Sequence, residues 1–128
     1  MIGKGSPDRF LTEDEVRSVL SEAFAQQRFS GKRVLAIIPD GTRSAPIDIM
    51  FRQVTQLLTP QVRRLDYLIA LGTHPPMSEE AIDQRLGLAP GERAARYSHV
   101  RVFNHHWKDA RQLREIGTIG EDEVAELS

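Results

Sequence analysis

The chain has 128 residues and a mass of 14.5 kDa, carries 17 basic and 18 acidic side chains for a formal charge of −1, and has no cysteine. With 40% hydrophobic and 27% charged residues it reads as one folded domain able to bury a core without disulfide or metal. The balanced charge excludes a basic footprint for nucleic acid, the missing cysteine excludes thiolate chemistry, and no apolar run reaches the roughly 20 residues of a membrane span. Residues Met1 to Arg9 also lack the apolar stretch of a secretory signal, so a cytoplasmic location is the expectation.

The first element is a helix. Thr12 to Glu15 spells a capping box, with Leu11 and Val16 at the staple positions. Val16, Val19, Leu20, Ala23 and Phe24 follow at helical spacing, and the polar stretch from Gln26 to Lys32, with Gly31, ends it. Val34 to Ile38 is a continuous apolar run closed by Pro39, the pattern of a strand covered on both faces. After the turn Asp40 to Ala45, Pro46 is placed as the first residue of a helix whose buried face is Ile47, Met50, Phe51, Val54, Leu57 and Leu58.

Leu65 to Leu71 is the second strand, and a loop from Gly72 to Met77 leads to a short helix capped by Ser78 and stopped at Gly87. A charged connection from Ala89 to Ser98, with one helical turn, precedes a third strand, His99 to Phe103. Asp109 to Ile116 reads as a short helix ended by Gly117, and Glu121 to Leu127 as the start of another, acidic at its favoured end. The alternation of helices and strands predicts α/β architecture: a three-layer, Rossmann-like domain with a mainly parallel sheet and strands near 34–38, 65–71 and 99–103.

In such sheets ligands bind beyond the carboxyl ends of the strands. The loops leaving the strands are Pro39 to Ser44, Gly72 to Pro76 and Asn104 to Trp107, and they hold three of the four histidines. The loops leading into the strands hold only generic solvated charge. In the first exit loop, Gly41 permits close approach, Thr42 offers a hydroxyl and Arg43 can clamp an anion. Asp40 would repel a bare phosphate, so a ribose hydroxyl or the Arg43 guanidinium is its expected partner. The plainer alternative is that Asp40 and Ser44 shape the turn and cap the helix. A haloacid-type phosphatase is excluded, because Ile38 stands where its nucleophilic aspartate belongs.

His74, on a turn stiffened by Pro75 and Pro76, suits proton transfer near neutral pH or metal ligation. His105 and His106 are adjacent and point apart, so one can face the cleft while the other is solvated. Trp107 walls that cleft or covers the core, and His99 lies at the wrong edge of the sheet for a role.

These loops together resemble a known family. Ile37-Ile38-Pro39-Asp40-Gly41-Thr42-Arg43 followed by Pro46 is similar to the D-x-T-R-x-x-P signature of the nickel-dependent lactate racemase family. Ala70-Leu71-Gly72-Thr73-His74-Pro75 resembles its A-x-G-T-H segment, and Asn104-His105 and Gly117-Thr118 fall where it has H-D and G-T elements. The resemblance runs in order from Val34 to about Gly120.

It implies the N-terminal portion of an enzyme that racemises or epimerises a 2-hydroxy acid by reversible hydride transfer to a nickel-pincer nucleotide. By the same resemblance Asp40, Gly41, Thr42, Arg43 and Thr73 hold the cofactor, His74 is a catalytic acid–base, and His105 is a cleft residue. No residue of this chain is assigned as a metal ligand. Two positions depart from the pattern: Pro75 replaces a frequent arginine, and His106 replaces an aspartate. The second catalytic histidine, the cofactor-tethering lysine and the nickel-binding histidine belong to a later segment in the family, and no S-G-G-x-K stretch occurs here. The implied partners are a small 2-hydroxy acid and the remaining C-terminal part of the enzyme, with the fragment inactive alone. Two other readings stand beside it: a self-contained nucleotide- or anion-binding module, and a small metal-dependent hydrolase using His74 with His105 or His106.

Overall fold

The computed structural model describes residues 1–127. Its elements, in chain order, are α1 (Glu13–Ala25), β1 (Arg33–Pro39), α2 (Ile47–Leu58), β2 (Arg64–Ala70), α3 (Glu79–Leu86), α4 (Glu92–Arg96), β3 (Arg101–Asn104), a 3₁₀ turn (Ala110–Gln112) and α5 (Glu121–Leu127). The three strands form one all-parallel sheet in the order β1-β2-β3. This is the Rossmann-like α/β arrangement that the alternating pattern predicts.

Local chemistry starts and stops each helix. The Glu15 N–H donates to Thr12 Oγ1 and the Thr12 N–H to the Glu15 carboxylate, so the capping box of α1 forms as expected. The helix stops at Ala25 with Gln26 as its cap; Gly31 instead turns the chain, at φ 70°, just before β1. Pro46 is the N-cap of α2 rather than its first helical residue. Ser78 caps α3, and Gly87, left-handed at φ 69°, closes it.

α2 packs against both α1 and α3. Its core face presents Ile47, Phe51 and Leu58 to the β2 residues Leu65, Tyr67 and Ile69. Phe51 packs at a tilt against Tyr67 and Tyr97, with ring centroids 4.9 Å apart in each pair, and burying such a ring contributes about 1.5–3 kcal/mol. Two polar residues of α2 are buried, and each makes a side-chain bond there, although Gln53 Oε1 is left without a partner among the described residues. Thr55 shares a 2.9 Å hydrogen bond with the Tyr67 hydroxyl, and Gln53 Nε2 donates to the Glu13 carbonyl at the start of α1.

Three expectations are corrected. β1 is covered on one face only: Val34, Ala36 and Ile38 turn inward, while Leu35 and Ile37 are 51% and 67% exposed. Both crossovers, β1 to β2 and β2 to β3, advance in the same direction, and a right-handed crossover then puts both sets of helices on one face. The layer expected on the other face is not among the described residues. The third strand begins at Arg101, after a turn in which the Val100 N–H bonds the Tyr97 carbonyl. Finally, the helix expected over Asp109 to Ile116 shrinks to the 3₁₀ turn at Ala110–Gln112. Arg111 to Ile116 are exposed, and so short a helix is marginal without a packed face.

Candidate functional site

The three exit loops converge at the carboxyl edge of the sheet. β1 delivers Asp40 into the first turn, where it is only 5% exposed. A turn closed by the His74 N–H on the Leu71 carbonyl, with Gly72 at φ 62°, brings His74 beside it. His74 Nδ1 and Asp40 Oδ2 are 2.7 Å apart. The other carboxylate oxygen, Oδ1, accepts the Thr42 hydroxyl at 2.6 Å and the Thr42 N–H at 3.2 Å. The Thr42 hydroxyl foremost, then the His74 ring and the Thr42 N–H, hold the Asp40 carboxyl below the ordinary aspartate range, against the opposing effect of burial.

An ionised Asp40 can only accept, so Nδ1 of His74 carries the proton in that bond, a tautomer assigned from the contact geometry. That leaves the Nε2 lone pair for chemistry. The ring is 49% exposed, so reactants can reach it. A buried carboxylate orienting a partly exposed imidazole is the arrangement of a general base with its positioning partner.

Beside the dyad lies an open cavity of about 700 Å³, lined among others by Thr73, His74, His105, His106, Trp107 and Lys108. Both adjacent histidines contribute to its wall, where only one was expected. Trp107 Nε1 donates to the His74 carbonyl at 3.2 Å, and its ring also packs on the core. The Lys108 ammonium lies 5.2 Å from the Trp107 ring centroid.

The loop that carries His74 is tied down from β3. Asn104 Oδ1 accepts the Met77 N–H and Asn104 Nδ2 donates to the Met77 carbonyl, each at 3.0 Å, and the His105 N–H bonds the Ile69 carbonyl. Sequence reasoning gave Asn104 no such role; its one available signal is an amide at the carboxyl end of a strand, facing a loop with free backbone groups.

The predicted residues thus fall into two groups. Asp40, Thr42 and His74 are joined by direct bonds, while Thr73, His74 and His105 line the cavity. Asp40 is not paired with Arg43: its carboxylate accepts instead from Thr42 at Oδ1 and from His74 at Oδ2. Arg43 is exposed, its carbonyl accepts from Arg85, and its guanidinium has no ion pair among the described residues. A side-chain carbon at Gly41 would meet only the Met77 methyl, at 3.8 Å, so the space over this turn is open. His99 lies at the opposite edge, 3.4 Å from Thr59 Oγ1.

Among the described residues no three His, Asp or Glu side chains converge as a metal shell, and no helix is long and apolar enough to cross a membrane. The open turn with its free guanidinium suits an anionic nucleotide portion of a cofactor. Nothing in these loops supplies a nickel shell.

A crystal structure of a Thermotoga maritima protein is similar to this chain, with a TM-score of 0.74 and 27% identity over 91% of the chain. The chain spans 27% of the length of that protein. No protein of curated function matches. Residues 11–127, nearly the whole chain, match the lactate racemase N-terminal domain, and the chain belongs to that family.

Proposed function

We propose that this chain is the N-terminal, cofactor- and substrate-binding portion of a racemase or epimerase of 2-hydroxy acids, forming a single α/β domain of a longer cytoplasmic enzyme. The observation that carries this reading is the 2.7 Å pair between buried Asp40 and half-exposed His74, set at the rim of an open cavity. Inverting a 2-hydroxy acid by hydride transfer requires that the hydroxyl proton leave as the α-hydrogen leaves with its electron pair, giving the 2-oxo acid, and that both return. The nickel-pincer nucleotide of this family, when bound, supplies the acceptor and donor of the hydride.

The residues of this chain supply the rest. His74 Nε2 takes the hydroxyl proton, and Asp40 holds the opposite nitrogen and balances the imidazolium that forms. Thr42 fixes Asp40 by two bonds. Arg43, on an open turn, clamps the anionic nucleotide portion with Gly41 and Thr73 beside it. Trp107 and Asn104 keep the His74 loop rigid, and His105 lines the cleft. Any nickel ligand and the cofactor tether come from the C-terminal part of the enzyme.

The test is racemisation of a panel of 2-hydroxy acids by the polypeptide that contains this chain and its continuation, loaded with the cofactor. His74→Ala is expected to abolish turnover while leaving cofactor binding intact, and Arg43→Ala to weaken binding. Binding of a mononucleotide by a gene product that ends at Ser128, with no racemisation, would establish the simple binding module instead.

A further inference from the structure

We infer that the open face of the sheet is the seat of a helix supplied by polypeptide following residue 128, crossing back to a new strand beside the free edge of β1; this rests on the reading that the chain is part of a longer enzyme. Parallel sheets occur almost only with both faces covered, yet here one face is bare. Leu35 and Ile37 of β1 stand in register with Asp66 and Leu68 of β2 and with Arg101 and Phe103 of β3. The row nearer the carboxyl edge, Ile37-Leu68-Phe103, is wholly apolar.

Topology says from which side the cover comes. The chain moves from β1 to β2 to β3, and its helices fill one face. A strand added beyond β1 reverses that direction. The right-handed rule then sends its connecting helix to the other face.

Charge says how that helix lies. A crossover helix runs antiparallel to the strands, so its C-terminal end sits above their N-termini. There Arg33, Arg63, Arg64 and Arg101 surround a hollow of about 510 Å³ with a single carboxylate, Asp66. Asp66 is engaged by Arg64 at 2.6 Å and by the Arg101 N–H at 3.3 Å. The guanidinium groups of Arg33 and Arg63 have no ion pair among the described residues. The negative end of a helix dipole, with its open carbonyls, complements such a cluster.

One consequence concerns the site. The reversal of strand order makes the carboxyl end of β1 a topological switch point, the place where open α/β sheets bind ligands. Asp40 leaves β1 there, so the added strand's exit loop lies next to the turn that carries Asp40.

These 128 residues contain no cysteine, and with any cysteine of the continuation replaced by serine, single thiols report on this face alone. Ile37→Cys and, independently, Leu35→Cys are placed in the 128-residue chain and in the longer gene product, and maleimide labelling rates are compared. Burial under a helix is expected to slow labelling in the longer protein by at least about tenfold at both positions. Ser18→Cys, on the outer side of α1, should react equally in both proteins.

Protection that persists on dilution supports the inference. Thiols equally reactive in both proteins would overturn it while leaving the racemase reading intact. Protection lost on dilution would overturn it in favour of a second copy. A coding sequence that stops at Ser128 would remove both readings.

Discussion

Replacing Asp40 by Asn should invert the tautomer of His74 without disturbing the fold. The reasoning starts at Thr42. Its backbone N–H is a fixed donor to Oδ1, joined by the Thr42 hydroxyl, so in Asp40→Asn the amide oxygen must take that position. The amide nitrogen then occupies the position of Oδ2, 2.7 Å from His74 Nδ1. Two donors cannot face each other, so Nδ1 becomes the acceptor and the ring proton moves to Nε2. The opposite amide orientation would set an N–H against the Thr42 N–H and forfeit that hydrogen bond, a penalty of roughly tenfold in population. A ring protonated at Nε2 cannot accept a hydroxyl proton there, and loss of general-base action slows turnover by about 10²–10⁴-fold. The assay is long-range ¹H–¹⁵N correlation on the labelled chain, recorded on the neutral imidazole, with His74 assigned by comparison with His74→Gln. Asp40→Asn with the proton still on Nδ1 would refute the argument, as would full racemase activity in that variant.

Four further outcomes follow from neighbouring contacts. Thr42→Val removes the strongest influence that lowers the Asp40 pKa; a depressed carboxyl stabilises the fold above its unfolded value near pH 3.9 and loses that contribution as pH falls. The variant should therefore unfold at higher pH on acid titration by circular dichroism, and an unchanged acid midpoint would count against the assignment. Tyr67→Phe leaves buried Thr55 without its partner and should cost about 1–3 kcal/mol in urea denaturation. Burial pushes the Tyr67 hydroxyl up to about 12, so the wild-type fold should lose stability as pH rises from about 10 towards that value, where the unfolded chain ionises first. The absorbance step of tyrosinate formation near 12 should vanish in the variant. Gly87→Ala forces a side chain into the left-handed region, with its Cβ 2.8 Å from Asp48 Cβ; a cost of at least about 1–2 kcal/mol should lower Tm by roughly 4–10 °C, and an unchanged Tm would contradict the packing of α3 on α2. Asn104→Ala cuts both bonds to Met77 and should speed exchange of the Met77 amide about tenfold or more, while amides in the middle of β2 keep their protection.

What the sequence revealed and what it hid divide along the range of the interactions. The capping box at Thr12 and the Ser78 and Gly87 ends of α3 are contained within a few residues, and they form as read. The apolar run Val34 to Ile38 identifies a strand of a parallel sheet, but a run of apolar residues does not say which face is covered, and Leu35 and Ile37 stand in solvent. Gln53 and Thr55 look like a polar helix face and are buried, because their partners come from the start of α1 and from β2. The candidate site follows the same division. The carboxyl-edge rule gathers the loops that meet at one edge of the sheet, since it depends only on the order of strands and helices. The Asp40–His74 bond joins residues 34 positions apart, and nothing local distinguishes it from a pairing of Asp40 with Arg43, three residues away and of opposite charge. The structure favours the histidine because Thr42 already binds Oδ1 and the loop tied down by Asn104 and Trp107 holds the imidazole at the other oxygen. That leaves the Arg43 guanidinium without an ion pair among the described residues, so under the proposed function one fixed turn separates a proton-transfer dyad from an anion clamp. A single change at Thr42 should therefore disturb the dyad and leave the clamp in place.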